Sequence, residues 1–315
     1  MTRCSLITRL KDSKKPYNNQ TGGPEAAAAM HTVASARTWA VRQLKQAQDK
    51  SPLLSADVLL AFVLGWDRVR VLSHTEESIS EEAWVRYRDL VLRRAKHEPL
   101  QYLMGEREFF GLPFHVNPGV LIPRPETEIL VEKALSLIRS SAAGARFLDV
   151  GTGSGCIAVS VAHEVPSSTG WAVDISAAAL EVARANLIRH ELSGRVLLIR
   201  SNLLECFPPR PCFDFIFCNP PYVALSDCDS LPSEVRDYEP HLALFGGASG
   251  MQFYQALIPQ VLSRLVPGGY FLLEAGAGQA LQIRQLAEAE GFSVDVILND
   301  LRGIPRCVVS RKLPE

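Results

Sequence analysis

From Arg146 to Arg311, short apolar runs of strand length alternate with segments of helical period, and this alternation leaves few folds open. The runs are "RFLDV", "GWAVD", "RVLLIR", "FDFIFC", "GGYFLLEA", "FSVDVIL" and "RCVVSR". Between the first five lie "CIAVSVAHEV", "SAAALEVARANLIRH" and "MQFYQALIPQVLSRLV". Strands apolar throughout and separated by helices predict an α/β architecture, a parallel sheet covered on both faces. Such a sheet binds its ligands at the carboxyl ends of its strands. The residues just after each strand therefore carry the candidate chemistry.

Upstream, from about Ser35 to Lys96, the pattern is helical. "ARTWAVRQLKQAQ" places Ala40, Val41, Leu44 and Ala47 on one face, and "SPLLSADVLLAFVLGW" predicts a more buried helix stopped by Gly65. "SISEEAWVRYRDLVLRRAKHEP" opens on serine caps and acidic residues and ends at Pro99. Its Arg86, Arg88, Arg93, Arg94 and Lys96 read either as a solvated face or as a docking face for an acidic partner or RNA. The segment "EFFGLPFHVNPGVLIPRPETEILVEKAL" predicts a short hairpin and then a helix, with Pro125 at its first position and Glu126 and Glu128 in its first turn. The expected organisation is an extension over residues 1–34, a helical domain over 35–105 and an α/β domain with its linking hairpin over 106–315.

The net charge of −1 argues against stable nucleic-acid binding by bulk electrostatics. The seven cysteines form no CxxC pair, which argues against a zinc site and for reduced thiols in a cytoplasmic protein. No apolar run reaches the ~18–20 residues of a membrane span. The first 30 residues are basic and polar and lack an apolar signal core. They read as a disordered extension, as sequence ahead of a true start at Met30, or as an organelle transit peptide.

"LDVGTGSG" places Gly151, Gly153 and Gly155 directly after the first strand, where the chain must turn tightly and a ligand can approach the backbone. Asp174 ends the next strand, where a carboxylate can accept from both hydroxyls of a ribose. A dinucleotide loop has the spacing GxGxxG; none is present, so a dinucleotide oxidoreductase is excluded. Asp149, just before the loop, suits a cationic ligand better than a phosphate. S-adenosylmethionine has the ribose and the positive charge and no phosphate.

The fourth strand ends in "FDFIFCNPPYVAL". Pro220 and Pro221 fix their own φ angles and push the residue before each to an extended shape. The strand thus delivers Asn219 to the ligand site in a stiff frame. The Asn219 side-chain oxygen and the Pro220 carbonyl can accept both N–H bonds of a planar –NH2 group, and Tyr222 can pack on its flat face. Such preorganisation aims a weakly nucleophilic nitrogen at a sulfonium methyl without a metal or a strong general base.

The Asn-Pro-Pro-Tyr run resembles the motif of methyltransferases that act on planar nitrogens, in nucleic-acid bases and in protein glutamine. "EPLQYLMGEREFFGLPFHV", "LIPRPETEILVE", "LDVGTGSG", "NPPYV", "YEPHLALFGGASG" and "DLRGIPR" together resemble the PrmC (HemK) family, in order from about Ser51 to Arg311. The resemblance implies a Rossmann-like class I S-adenosylmethionine-dependent methyltransferase fold, with a seven-stranded, mostly parallel sheet. It also implies a small N-terminal helical bundle that helps to bind the substrate protein. The implied activity is methyl transfer from S-adenosylmethionine to the side-chain amide nitrogen of the glutamine in the Gly-Gly-Gln motif of peptide-chain release factors. By the same resemblance Gly151, Thr152, Gly153, Ser154 and Gly155 form the cofactor loop and Asp174 is the ribose ligand. Asn202, where the family usually has Asp, and Leu203 meet the adenine. Asn219, Pro220, Pro221 and Tyr222 hold glutamine, and Phe109 lines its pocket.

Two other readings share some of these residues. A base-modifying amino-methyltransferase would need a basic channel and room for a flipped base. An idle cofactor-binding module would not need the intact Asn219 and Tyr222. His115 and His241 are expected to be structural, and Cys218 to be a small strand residue. Arg124 and Glu126 are expected either to order the cofactor-side loop or to cap a helix, and Gly246, Gly247 and Gly250 to form a turn. Tyr238 and Glu239 read as candidates for the substrate rim.

Overall fold

The computed structural model describes residues 31–140 and 144–314. Most of the expected extension lies outside the described residues, but residues 31–34 belong to the fold. His31–Thr32 (β1) pairs antiparallel with Ser78–Ile79 (β2). The Thr32 hydroxyl accepts from the Ser35 N–H at 3.2 Å, and the Ser35 hydroxyl accepts from the Thr32 N–H at 3.0 Å. This reciprocal capping box starts the first helix, Val33–Gln46 (α1), ahead of Ser35. Pro52–Leu64 (α2), Arg68–Ser73 (α3) and Glu81–Arg94 (α4) follow. As expected, α2 stops at Gly65 with φ 66°, and Ser80 caps α4. Leu44, Leu59, Leu60 and Tyr87 fill the small core between α1, α2 and α4.

Leu100–Met104 (α5) leads into a hairpin of Glu106–Phe109 (β3) and Leu112–His115 (β4). Its two turn residues, Phe110 and Gly111, have φ 51° and 72°, the sign a tight two-residue hairpin turn requires. Phenylalanine is costly there. The Glu128 carboxylate offsets part of that cost by accepting the Phe110 N–H at 2.9 Å. A single 3-10 turn, Pro125–Thr127, opens Glu128–Arg139 (α6).

The chain then runs Arg146–Val150 (β5), Cys156–Glu164 (α7), Thr169–Asp174 (β6), Ala177–Arg189 (α8), Val196–Arg200 (β7) and Phe213–Cys218 (β8). Ser233–Arg236 (α9), His241–Leu244 (α10) and Gln252–Leu262 (α11) precede Leu265–Glu274 (β9). Ala280–Ala289 (α12), Phe292–Asn299 (β10) and Pro305–Lys312 (β11) complete it. The seven-stranded sheet has the order β10-β11-β9-β8-β5-β6-β7, parallel except that β11 runs antiparallel to both neighbours. Strands β5, β6 and β7 progress one way, and β8 then returns to the other side of β5. The strand order reverses there, so the β5–β8 boundary is the switch point. Phe147, Phe215 and Phe217 face α6 and α7 in one core; Leu148, Ile216 and Cys218 face α11 and α12 in the other.

Two sequence expectations shift. The helical run predicted through Val266 ends at Leu262, because Leu265 already pairs with Phe213 in the sheet. Of the basic residues on α4 and just after it, Arg94 belongs neither to a solvated face nor to an open docking face. It is buried, donating to Asp49 at 2.6 Å and, across to the α/β domain, to Glu234 at 2.9 Å. Tyr238 adds a second tie through the Lys96 carbonyl at 2.7 Å. No helix among the described residues is long and apolar enough to cross a membrane, and no cluster of His, Cys, Asp or Glu among them could hold a metal ion.

Candidate active site

A cavity of about 410 Å³ opens at the switch point. Val150 and Cys218 are paired in register, so the glycine loop and Asn219 leave the sheet side by side and both line it. Gly151 and Gly153 have φ 70° and 54°, and a Cβ built on either would meet no atom within 4 Å. They serve the turn and leave the cavity wall bare of side chain. Gly155 does not line the cavity. A Cβ there would sit 3.3 Å from Ala183, so this glycine lets α8 pack against the start of α7. Thr152 and Ser154 are nearly buried in the cavity wall.

Asp149 departs from expectation. It is fully buried beside Phe147 on the core side of β5 and does not reach the cavity. Strand alternation turns it away from the face that carries Val150. The Thr152 hydroxyl donates to it at 2.6 Å, so it anchors the loop from beneath. Desolvation pushes its carboxyl up to about 7, against that bond, and its burial away from the cavity keeps it from serving as counter-ion to a ligand there.

Asp174 does line the cavity. Its two oxygens accept the Gly153 N–H and the Ser176 N–H, each at 2.9 Å, which ties the loop to the end of β6. Burial raises its pKa and the backbone bonds oppose the rise. Asn202 and Leu203 sit on the same wall, with the Asn202 –NH2 donating to Glu205 at 2.6 Å. Leu203 adopts φ 49°, an uncommon backbone for a leucine. Ile175, Leu242 and Phe253 add apolar surface that sequence reasoning did not single out.

At Asn219 the –NH2 group donates to the Thr127 hydroxyl at 3.0 Å. The side-chain oxygen is buried and has no partner among the described residues. Thr127 donates in turn to Glu274 at 2.6 Å, and burial pushes that carboxyl up to about 7. Neither Thr127 nor Glu274 was legible as a site residue, since β9 and the turn before α6 meet only in the folded chain. Pro221 lines the cavity, whereas Pro220 and Tyr222 do not. The Tyr222 ring packs beside Gly276, its hydroxyl is pushed up to about 12 by burial, and its carbonyl accepts from Gln279 at 3.0 Å.

The "FGGASG" turn does more than precede α11. A Cβ on Gly246 would lie 2.5 Å from the Pro221 carbonyl oxygen, and one on Gly250 would lie 2.3 Å from that of Tyr222. Val223 pairs with Phe245, and the Gly246 N–H donates to the Val223 carbonyl at 2.9 Å. The prolines set the shape of the strand exit, and this glycine turn clamps it backbone to backbone.

Phe109 is not brought to the cavity. It is 1% exposed and packs edge-on against Phe114, 6.0 Å between ring centres, in the core beneath α6. His115 and His241 each bond a backbone carbonyl, of Gly105 and Arg236. Glu239 is buried, pairs with Arg124 and accepts the Ile122 N–H at 3.1 Å, which fixes the segment before α6. Arg302 reaches Glu126 at 3.4 Å. Burial raises the Cys218 thiol well above its ordinary value, so it stays a protonated strand residue.

Residues 35–105 match the PrmC N-terminal domain and residues 126–231 the methyltransferase small domain. A release factor glutamine methyltransferase of Koribacter versatilis is 43% identical over 281 residues, 89% of this chain and 99% of that protein. One of Bradyrhizobium diazoefficiens is 40% identical over 286 residues, 90% of this chain and 96% of that protein. A methyltransferase from Pyrococcus furiosus shares the fold, with a TM-score of 0.51 at 22% identity over 70% of this chain and 98% of that one. Identity of this degree over nearly the whole length of the relatives places the chain: it belongs to the release factor glutamine methyltransferase family.

Proposed function

We propose that this protein transfers a methyl group from S-adenosylmethionine to the side-chain amide nitrogen of the glutamine in the Gly-Gly-Gln motif of a release factor. The observation that carries the reading is the Asn219 side-chain oxygen, buried at the cavity without a partner among the described residues. A buried acceptor left unmade costs ~1–3 kcal/mol, and a substrate N–H would satisfy it. The residues present fit the cofactor. The Asp174 carboxylate faces the cavity for ribose hydroxyls, and Ile175, Leu203 and Phe253 offer an apolar wall for a flat base. When bound, S-adenosylmethionine supplies the methyl on its sulfonium.

The Asn219 oxygen would accept one N–H bond of the glutamine amide and hold its nitrogen face toward the methyl. An acceptor on its hydrogen returns electron density to a nitrogen whose lone pair is delocalised. The frame is rigid before substrate arrives, held by Pro220, Pro221 and the glycine clamp. Mass spectrometry on unmethylated release factor, incubated with the protein and S-adenosylmethionine, tests the reading. The expected result is one added methyl on the wild-type factor and none on a Gln→Ala variant of its Gly-Gly-Gln motif. Equal labelling of both, or of neither while cofactor binds, would overturn it.

A further inference from the structure

The Asn219 amide has two ends, and only one can accept a substrate N–H. We propose that Thr127 and Glu274 are positioning residues that fix which end of Asn219 faces the substrate. This inference rests on the proposed glutamine chemistry. A hydroxyl carries one hydrogen. Thr127 spends it on the Glu274 carboxylate at 2.6 Å, so toward Asn219 its oxygen can only accept. The Asn219 –NH2 must then face Thr127, as it does at 3.0 Å, which leaves the oxygen buried on the other side of the amide with no partner among the described residues. The direction of the chain is set at its far end by a group that, as a carboxylate, can only accept. Thr127 is 1% and Glu274 2% exposed, so water does not compete for these bonds.

Protonation of Glu274 would remove that direction. A carboxylic acid can donate to Thr127, which can then donate to the Asn219 oxygen. The amide turns over and meets the substrate N–H with an N–H. The charged groups acting on Glu274 are Arg306 from β11 and Arg124 and Glu126 from the turn before α6; the arginines favour its charged form and Glu126 opposes it. The other titratable neighbours are neutral. Cys218 on β8, Cys307 on β11, Cys156 on α7, Tyr222 and Tyr254 are all raised by burial. Desolvation outweighs the favourable contacts and places the carboxyl at about 7, within reach of solution pH.

The test compares Thr127→Ser, Thr127→Val, Glu274→Gln and the wild type in the release-factor assay, with cofactor Kd and Tm measured alongside. Thr127→Val should lower kcat about 10- to 100-fold with the cofactor Kd unchanged, and Thr127→Ser should restore most of it. Wild-type kcat should rise with pH through about 7, the value of Glu274, and Glu274→Gln should flatten that rise. The second readout needs no turnover. The 15N side-chain amide signal of Asn219, assigned by its loss in Asn219→Ala, should shift with a midpoint near 7 in the wild type and not in Glu274→Gln. A Thr127→Val enzyme with wild-type kcat overturns the proposal. So does a rise with pH that survives in Glu274→Gln, which would point to Asp149. A wild type that methylates no glutamine defeats the functional reading instead, while the 15N titration still decides the role of Glu274.

Discussion

Val150 on β5 pairs with Cys218 on β8, so Gly151 and Asn219 leave neighbouring parallel strands at the same level. This adjacency puts the glycine loop and the Asn-Pro-Pro-Tyr motif on one cavity with no strand between them. Asn219→Ala should therefore lower kcat by about 100- to 1,000-fold, the scale for losing one preorganised polar contact to the reacting group. The cofactor Kd should stay within about threefold, because the loop and Asp174 are untouched. Single-turnover methylation at saturating release factor, with calorimetry for the cofactor, separates the two quantities.

Gly250→Ala attacks the same motif from behind. Its Cβ would meet the Tyr222 carbonyl at 2.3 Å from a backbone at φ 75°. The motif must move or the turn must open. We expect a loss of about 1–3 kcal/mol in stability by urea denaturation. The surviving folded protein should also have lower kcat than an equally destabilised variant far from the cavity.

The buried Asp149 makes a prediction about stability. Its pKa is raised in the folded state, to about 7 from the ordinary 3.8, so the folded chain holds a proton that the unfolded chain releases. Its contribution is fully present below the unfolded value and is lost as pH rises through about 7. Asp149→Asn, which keeps an oxygen for Thr152 and cannot ionise, should have a higher Tm than the wild type at pH 8. The gap should narrow toward pH 5. A gap independent of pH would show that Asp149 is not the titrating group.

Arg94 ties the two domains through a buried charge, with Asp49 on one side and Glu234 on the other. Arg94→Met strands the Asp49 carboxylate and should destabilise by about 3–5 kcal/mol. Asp49→Asn in the same background should recover part of that loss in equilibrium unfolding, because the stranded charge is gone.

The strands were legible because a sheet covered on both faces needs continuous apolar runs, and "RFLDV" and "FDFIFC" have no other comfortable place. The glycine loop, Asp174 and Asn219 were legible because the carboxyl ends of parallel strands converge. Asp149 shares the face of Phe147, so the period-two alternation of its own strand turns it into the core and away from the ligand side. The family resemblance implies Phe109 at the glutamine pocket, and hairpin packing against α6 buries it in the core instead. Thr127 and Glu274 gave no local signal. Their bond joins residues 147 positions apart, and no spacing rule reaches across the fold.

Strand β11 lies between β9 and β10, antiparallel to both, and β10 has no other neighbour. The sheet therefore cannot assemble in chain order. Until β11 docks, β9 presents an open row of backbone donors and acceptors. Such an edge invites pairing with another chain. The yield on refolding should therefore depend steeply on protein concentration, even though the completed sheet covers that edge.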